Sequence, residues 1–115
     1  MAFSNLELNL IDSTVGDLCR RCSPAHVADQ LRTVHEVGGH AVTIFEERPD
    51  WVDPSLGWMR NPVARFRFYR SRGEWVLYWM PSDLKWHAYE PASGLTDLPS
   101  LTAVVERDAL CAFFG

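Results

Sequence analysis

A chain of 115 residues with 11 Lys and Arg against 15 Asp and Glu carries a net charge of -4, and 47% of its residues are hydrophobic. That balance excludes a disordered tail, and 7 Gly and 7 Pro are too few for a collagen-like or low-complexity chain. A chain of this length removes roughly 65% of its unfolded surface from water, so residues 1–115 are expected to form one domain without disulfide or metal staples.

Ser4 and Glu7 have the spacing of a capping box, and Leu8, Ile11, Val15, Leu18 and Cys22 recur on one helical face, which predicts a first helix from about Ser4 to Cys22, weakened by Gly16. Ser23 and Pro24 suit the start of a short helical turn over His26 to Gln30. Leu31 to Val37 and His40 to Glu46 flank Gly38-Gly39, predicting a type I′ hairpin with Val37 opposite His40. Arg48 to Pro62 holds three prolines and no period, and reads as a long crossing loop. Three more strands follow at Val63 to Arg70, Glu74 to Met80 and Lys85 to Tyr89. Pro99 and Ser100 open a last helix ending near Asp108. The expected fold is α+β: an N-terminal helix and a C-terminal helix packed on one face of a five-stranded antiparallel meander.

With Arg70 opposite Glu74 and Met80 opposite Lys85, the two-residue strand period distributes the side chains. One face then holds Ala64, Phe66, Phe68, Val76, Tyr78 and Tyr89 and is expected to pack on the helices. The other holds Arg65, Arg67, Tyr69, Trp75, Trp79 and Trp86, with Arg65 across from Trp79 and Tyr69 across from Trp75.

Charge is segregated along the chain. Residues 54–89 carry six bases and two acids together with nine of the 14 aromatics, so basic and aromatic chemistry coincide there. This predicts a binding module whose recognition surface is Arg65, Arg67, Tyr69, Trp75, Trp79 and Trp86, with a partner protein or an anionic small molecule as its ligand. Single-stranded nucleic acid is the alternative, with bases stacked on the aromatics, but the net charge of -4 opposes it.

Phe45-Glu46-Glu47-Arg48-Pro49, Pro62-Val63-Ala64 with Phe66-Arg67, Trp75-x-Leu77-Tyr78-Trp79, Lys85-Trp86-His87-x-Tyr89 and Cys111-x-Phe113-Phe114-Gly115 together form a pattern. From about residue 19 onward it resembles a family of small, uncharacterised bacterial proteins defined as a domain of unknown function. The resemblance implies a bacterial source and assigns no activity. The chain departs from the family pattern in its second cysteine, Cys22, and in ending Phe-Phe-Gly rather than Phe-Trp-Gly.

Other constellations are less complete. Cys19, Cys22 and His26 give C-x2-C-x3-H, one ligand short of structural zinc, and the buried-helix reading of both cysteines is preferred, so no metal is expected. His35 and His40 are expected on one hairpin face as exposed strand histidines. An enzymatic reading, a small hydrolase or transferase using His87 with Glu46 or Glu47, rests on residue types alone, since the usual catalytic signatures are absent and no motif implies a cofactor. Adjacent carboxylates on a strand point to opposite faces, so an ion pair from Glu46 or Glu47 to Arg65 or Arg67 is expected instead. Met1 to Ile11 has no basic residue ahead of an apolar run, and no apolar stretch nears the ~20 residues of a membrane span. Three cysteines do not make a disulfide framework. The expected location is the cytoplasm, with reduced thiols and no membrane partner.

Overall fold

The computed structural model describes residues 3–23, 26, 29–50, 52–108 and 113. Helix α1 (Asn5–Ile11) runs through a π-helical turn (Asp12–Gly16) into α2 (Asp17–Arg21). Strands β1 (Arg32–Gly38), β2 (Ala41–Pro49), β3 (Trp58–Tyr69), β4 (Glu74–Trp79) and β5 (His87–Ala88) form an antiparallel sheet in sequential order, and α3 (Leu98–Arg107) follows. The α+β architecture is the one expected. The turn expected over His26 to Gln30 lies largely outside the described residues.

The predicted first helix forms, with its capping box in place. Ser4 Oγ accepts from the Glu7 N–H at 3.2 Å, and Glu7 returns a carboxylate oxygen to the Ser4 N–H at 2.8 Å. Gly16 does not end this helix but widens it. The Asp17 N–H reaches back five residues to the Asp12 carbonyl, and Arg20 donates to the same carbonyl at 3.0 Å and to the Asp12 carboxylate at 3.3 Å. A Cβ on Gly16 would sit 2.8 Å from Asp12 Oδ1, so a bare backbone is what lets this knot close.

Arg70, in the turn after β3, forks onto the Glu7 carboxylate at 3.0 and 3.1 Å. That guanidinium first, and the Ser4 N–H second, pull the Glu7 carboxyl down to about 2. A carboxyl depressed in the fold stabilises it fully above the ordinary carboxylate pKa and loses that contribution as pH falls toward 2. Thermal unfolding followed from pH 5 to pH 2 is therefore expected to fall less steeply for Glu7→Gln than for the wild type, with the gap narrowing in high salt. Parallel curves would show that the ion pair contributes nothing.

Three hairpin registers differ from expectation, β1–β2 by two residues and β3–β4 and β4–β5 by one. Gly38 pairs with Ala41, so the β1–β2 turn is Gly39-His40, with positive φ (58°) at Gly39 alone, as in a type II′ turn. Tyr69 pairs with Glu74, which gives a four-residue connection closed by Gly73 at φ 64°. A slip of one residue turns a whole strand over. Trp75, Leu77 and Trp79 accordingly share the core face with Phe66 and Phe68, while Val76 and Tyr78 stand on the other face beside Arg65 and Arg67.

The expected crossing loop of residues 48–62 is shorter, because strand takes up both of its ends. β2 runs to Pro49 and β3 begins at Trp58, leaving only residues 50–57 as the connection. Pro62 is tolerated because it pairs with Phe45 where the ladder bulges at Val63, beyond the reach of β4. The last strand is shorter than expected. Leu84 adopts φ 62° and Asp83 accepts from the Lys85 N–H, which holds residues 81–85 in turns before His87 can pair with Trp79.

The core lies on one side of the sheet. Ile11, Val15 and Leu18 from the N-terminal helix and Leu98, Leu101 and Val105 from α3 close over Val42, Ile44, Phe66 and Leu77. Phe3 stacks on Trp75 with ring centroids 5.6 Å apart, and Phe113 packs against Tyr89 at 4.9 Å. Asp97 caps α3 through the Ser100 N–H, with Pro99 in its first turn.

Candidate recognition face

Because α1, α2 and α3 all bury their apolar stripes on one side, the opposite side of the sheet has no described helix across it. Strand period and register decide what stands there. Arg32, Glu47 and Arg60 form one row, and Glu36, Thr43, Arg65, Tyr78 and Ala88 another. Arg67 and Tyr69 continue along β3.

The two ends of this face differ in how their arginines are satisfied. Toward the β2–β3 connection, Glu47 accepts from Arg32 at 2.8 Å and Arg60 at 3.0 Å, and Arg60 also bonds Glu36. The Arg32 guanidinium, then Arg60, hold the Glu47 carboxyl below the usual carboxylate range. Arg65 and Arg67 were the arginines expected to pair with Glu46 or Glu47. They do not, because β3 starts earlier and brings Arg60 opposite Glu47, while Glu46 faces the other way toward Arg48 at 3.7 Å. Among the described residues neither Arg65 nor Arg67 has a carboxylate within ion-pair distance. Arg65 Nε is enclosed and makes no hydrogen bond. An enclosed donor left without an acceptor costs about 1–3 kcal/mol.

Aromatic rings on this face are capped by guanidinium groups. Arg32 lies 3.9 Å from the Trp58 ring, Arg60 4.5 Å from Phe45 and Arg65 5.5 Å from Trp86. Tyr69 carries Arg67 at 5.2 Å and Arg72 at 4.5 Å. Such contacts limit how far an arginine side chain can swing. The Tyr69 and Tyr78 hydroxyls bond to each other, so one of the two keeps a proton to donate elsewhere. Burial first, and the Tyr69 hydroxyl second, push the Tyr78 phenol up, which keeps it a neutral donor.

The residues expected to form the recognition surface are thus divided. Arg65, Arg67, Tyr69 and Trp86 lie together on the uncovered face. Trp75 is buried, and Trp79 packs against the core from the other side. Tyr78 takes their place; Gly73 at the end of the turn suits a three-residue and a four-residue connection alike, so no local sign reveals it.

The remaining constellations do not assemble. His35 is half-buried on β1 opposite Ile44, and His40 sits in the turn rather than opposite Val37, so the expected diagonal pair does not form. His87 is exposed and bonds Asp83 at 2.7 Å. Glu46 and Glu47 are on β2, three strands away, on the order of 14 Å across the sheet, so His87 and either glutamate do not meet at one bond. Cys19 is buried in α2, and burial pushes its thiol up to about 12. Burial also raises the Cys22 thiol, and metal ligation needs thiolates. Among the described residues no three His, Cys, Asp or Glu side chains gather as a metal site, and no helix is long and apolar enough to cross a membrane. Cys111 lies outside the described residues.

Fold and site together define a small α+β protein with one sheet face packed under its helices and the other carrying arginine-capped aromatics. The family described as a domain of unknown function, DUF3024, matches residues 3–115, and the chain belongs to it. No curated protein and no solved structure matches the chain.

Proposed function

We propose that this protein is a protein-recognition module that uses the uncovered sheet face, at Arg65, Arg67, Tyr69, Tyr78 and Trp86, to bind an acidic surface of a partner protein. The observation that carries this reading is the contrast between the satisfied arginines Arg32 and Arg60 and the two that have no carboxylate among the described residues, Arg65 and Arg67, on the same face. Arginine, tyrosine and tryptophan are the residues in which interface binding energy concentrates. A flat face suits a macromolecule better than a small ligand, which needs a concave pocket. Single-stranded nucleic acid is disfavoured because the rings on which bases would stack already carry guanidinium groups.

The test is a titration followed by NMR at the arginine guanidinium N–H groups, with an acidic polypeptide such as polyglutamate as the probe. The Arg65 and Arg67 resonances are expected to move, and those of Arg20 and Arg21, paired with acids on the helix side, to stay. Shifts confined to the helix side, or none at all, would reject the reading.

A further inference from the structure

The acidic-partner reading, on which this inference rests, leaves open the form in which the carboxylates arrive, and the geometry of β3 bears on it. Arg65 and Arg67 are two residues apart on one strand face, so their Cα atoms are about 7 Å apart. Each guanidinium is seated against an aromatic ring, Arg65 at 5.5 Å from Trp86 and Arg67 at 5.2 Å from Tyr69, which limits how far it sweeps over the surface. An extended polypeptide has the same repeat, presenting alternate side chains on one face about 7 Å apart. Neighbouring acids on an extended chain point to opposite sides, and only one of them reaches the face.

We infer that the uncovered face recognises an extended acidic segment of a partner protein whose carboxylates stand on alternate residues, one taken by the Arg65 fork and the next by the Arg67 fork. The hydroxyl of the Tyr69–Tyr78 pair that keeps its proton lies beside Arg67 as a further donor. The intervening residues of the segment point away from the sheet, so their identity is of little consequence.

The experiment compares three synthetic peptides of equal length, rich in Thr and Ser to favour extended backbone, by calorimetric titration of the intact protein. One carries two Glu on alternate residues, its isomer carries them adjacent, and the third carries Gln in both places. The alternate-Glu peptide is expected to bind at least tenfold more tightly than the adjacent isomer, and the Gln peptide not at all. Arg65→Gln and Arg67→Gln are each expected to abolish that preference. Arg65→Lys and Arg67→Lys, which keep charge but lose the planar fork, should retain part of the affinity, and thermal denaturation checks that each variant is folded. Equal affinity for the two Glu isomers, lost in the Arg65→Gln/Arg67→Gln double variant, would overturn the spacing and leave acidic recognition standing. Failure of both Glu peptides to bind would overturn the acidic-partner reading itself. Tighter binding of a single-stranded oligonucleotide than of any peptide would overturn both.

Discussion

Phe66→Ala is expected to destabilise the protein by about 3–5 kcal/mol, the cost of removing a fully buried aromatic ring and leaving a cavity. Phe66 is wholly enclosed at the centre of β3, where its ring meets the layer formed by the N-terminal helix and α3. It pairs in register with Val42 on one side and Leu77 on the other, both buried, so the sheet cannot collapse easily into the space. Chemical denaturation should show a lower midpoint with little change in slope. An unchanged midpoint would mean that the sheet packs on its helices through the opposite face.

Trp75→Ala is expected to cost a similar amount, about 3–5 kcal/mol, whereas Trp86→Ala should cost far less. Trp75 is 6% exposed, stacked on Phe3 and packed at 5.0 Å against Phe68. Trp86 is only half-buried and meets Arg65. This pair of variants tests the β3–β4 register directly. Had Arg70 faced Glu74, Trp75 would stand on the uncovered face and its loss would be mild. A mild effect of Trp75→Ala beside a large one for Val76→Ala would restore that register.

Both predictions turn on what local residues reveal and what they leave open. The capping box at Ser4, the helix after Pro99 and the alternation along β3 are set by neighbours in sequence, so Phe66 inside and Arg65 and Arg67 outside were legible without coordinates. The hairpin registers were not. Gly38-Gly39 offers two glycines, and the turn that forms requires positive φ only at Gly39. β4 is equally ambiguous because it is apolar on both faces, Trp75, Leu77 and Trp79 on one and Val76 and Tyr78 on the other. Only the volume available beneath the helices, and Phe3 arriving to stack on Trp75, decide between them. Pro62 misled for a similar reason. Proline ordinarily breaks a strand, and here a bulge and the absence of a β4 neighbour remove the penalty.

The same register error explains why the candidate site was half legible. The arginines follow from the strand period of β3, but their aromatic neighbours depend on how β4 is laid beside it. Trp75 and Trp79 gave way to Tyr78, and the Glu47 partner proved to be Arg60, reached only because β3 extends back to Trp58.

If Arg65 and Arg67 serve a partner, as proposed, the fold does not depend on them. Thermal denaturation of the Arg65→Gln/Arg67→Gln double variant, with binding of an acidic peptide measured on the same sample, tests it most directly. Without carboxylate partners the two arginines should contribute no more than about 1 kcal/mol to stability, so the variant is expected to melt close to the wild type while losing the peptide. A fall of about 3–5 kcal/mol, the cost of breaking a buried ion pair, with peptide affinity unchanged in the folded fraction, would contradict the account.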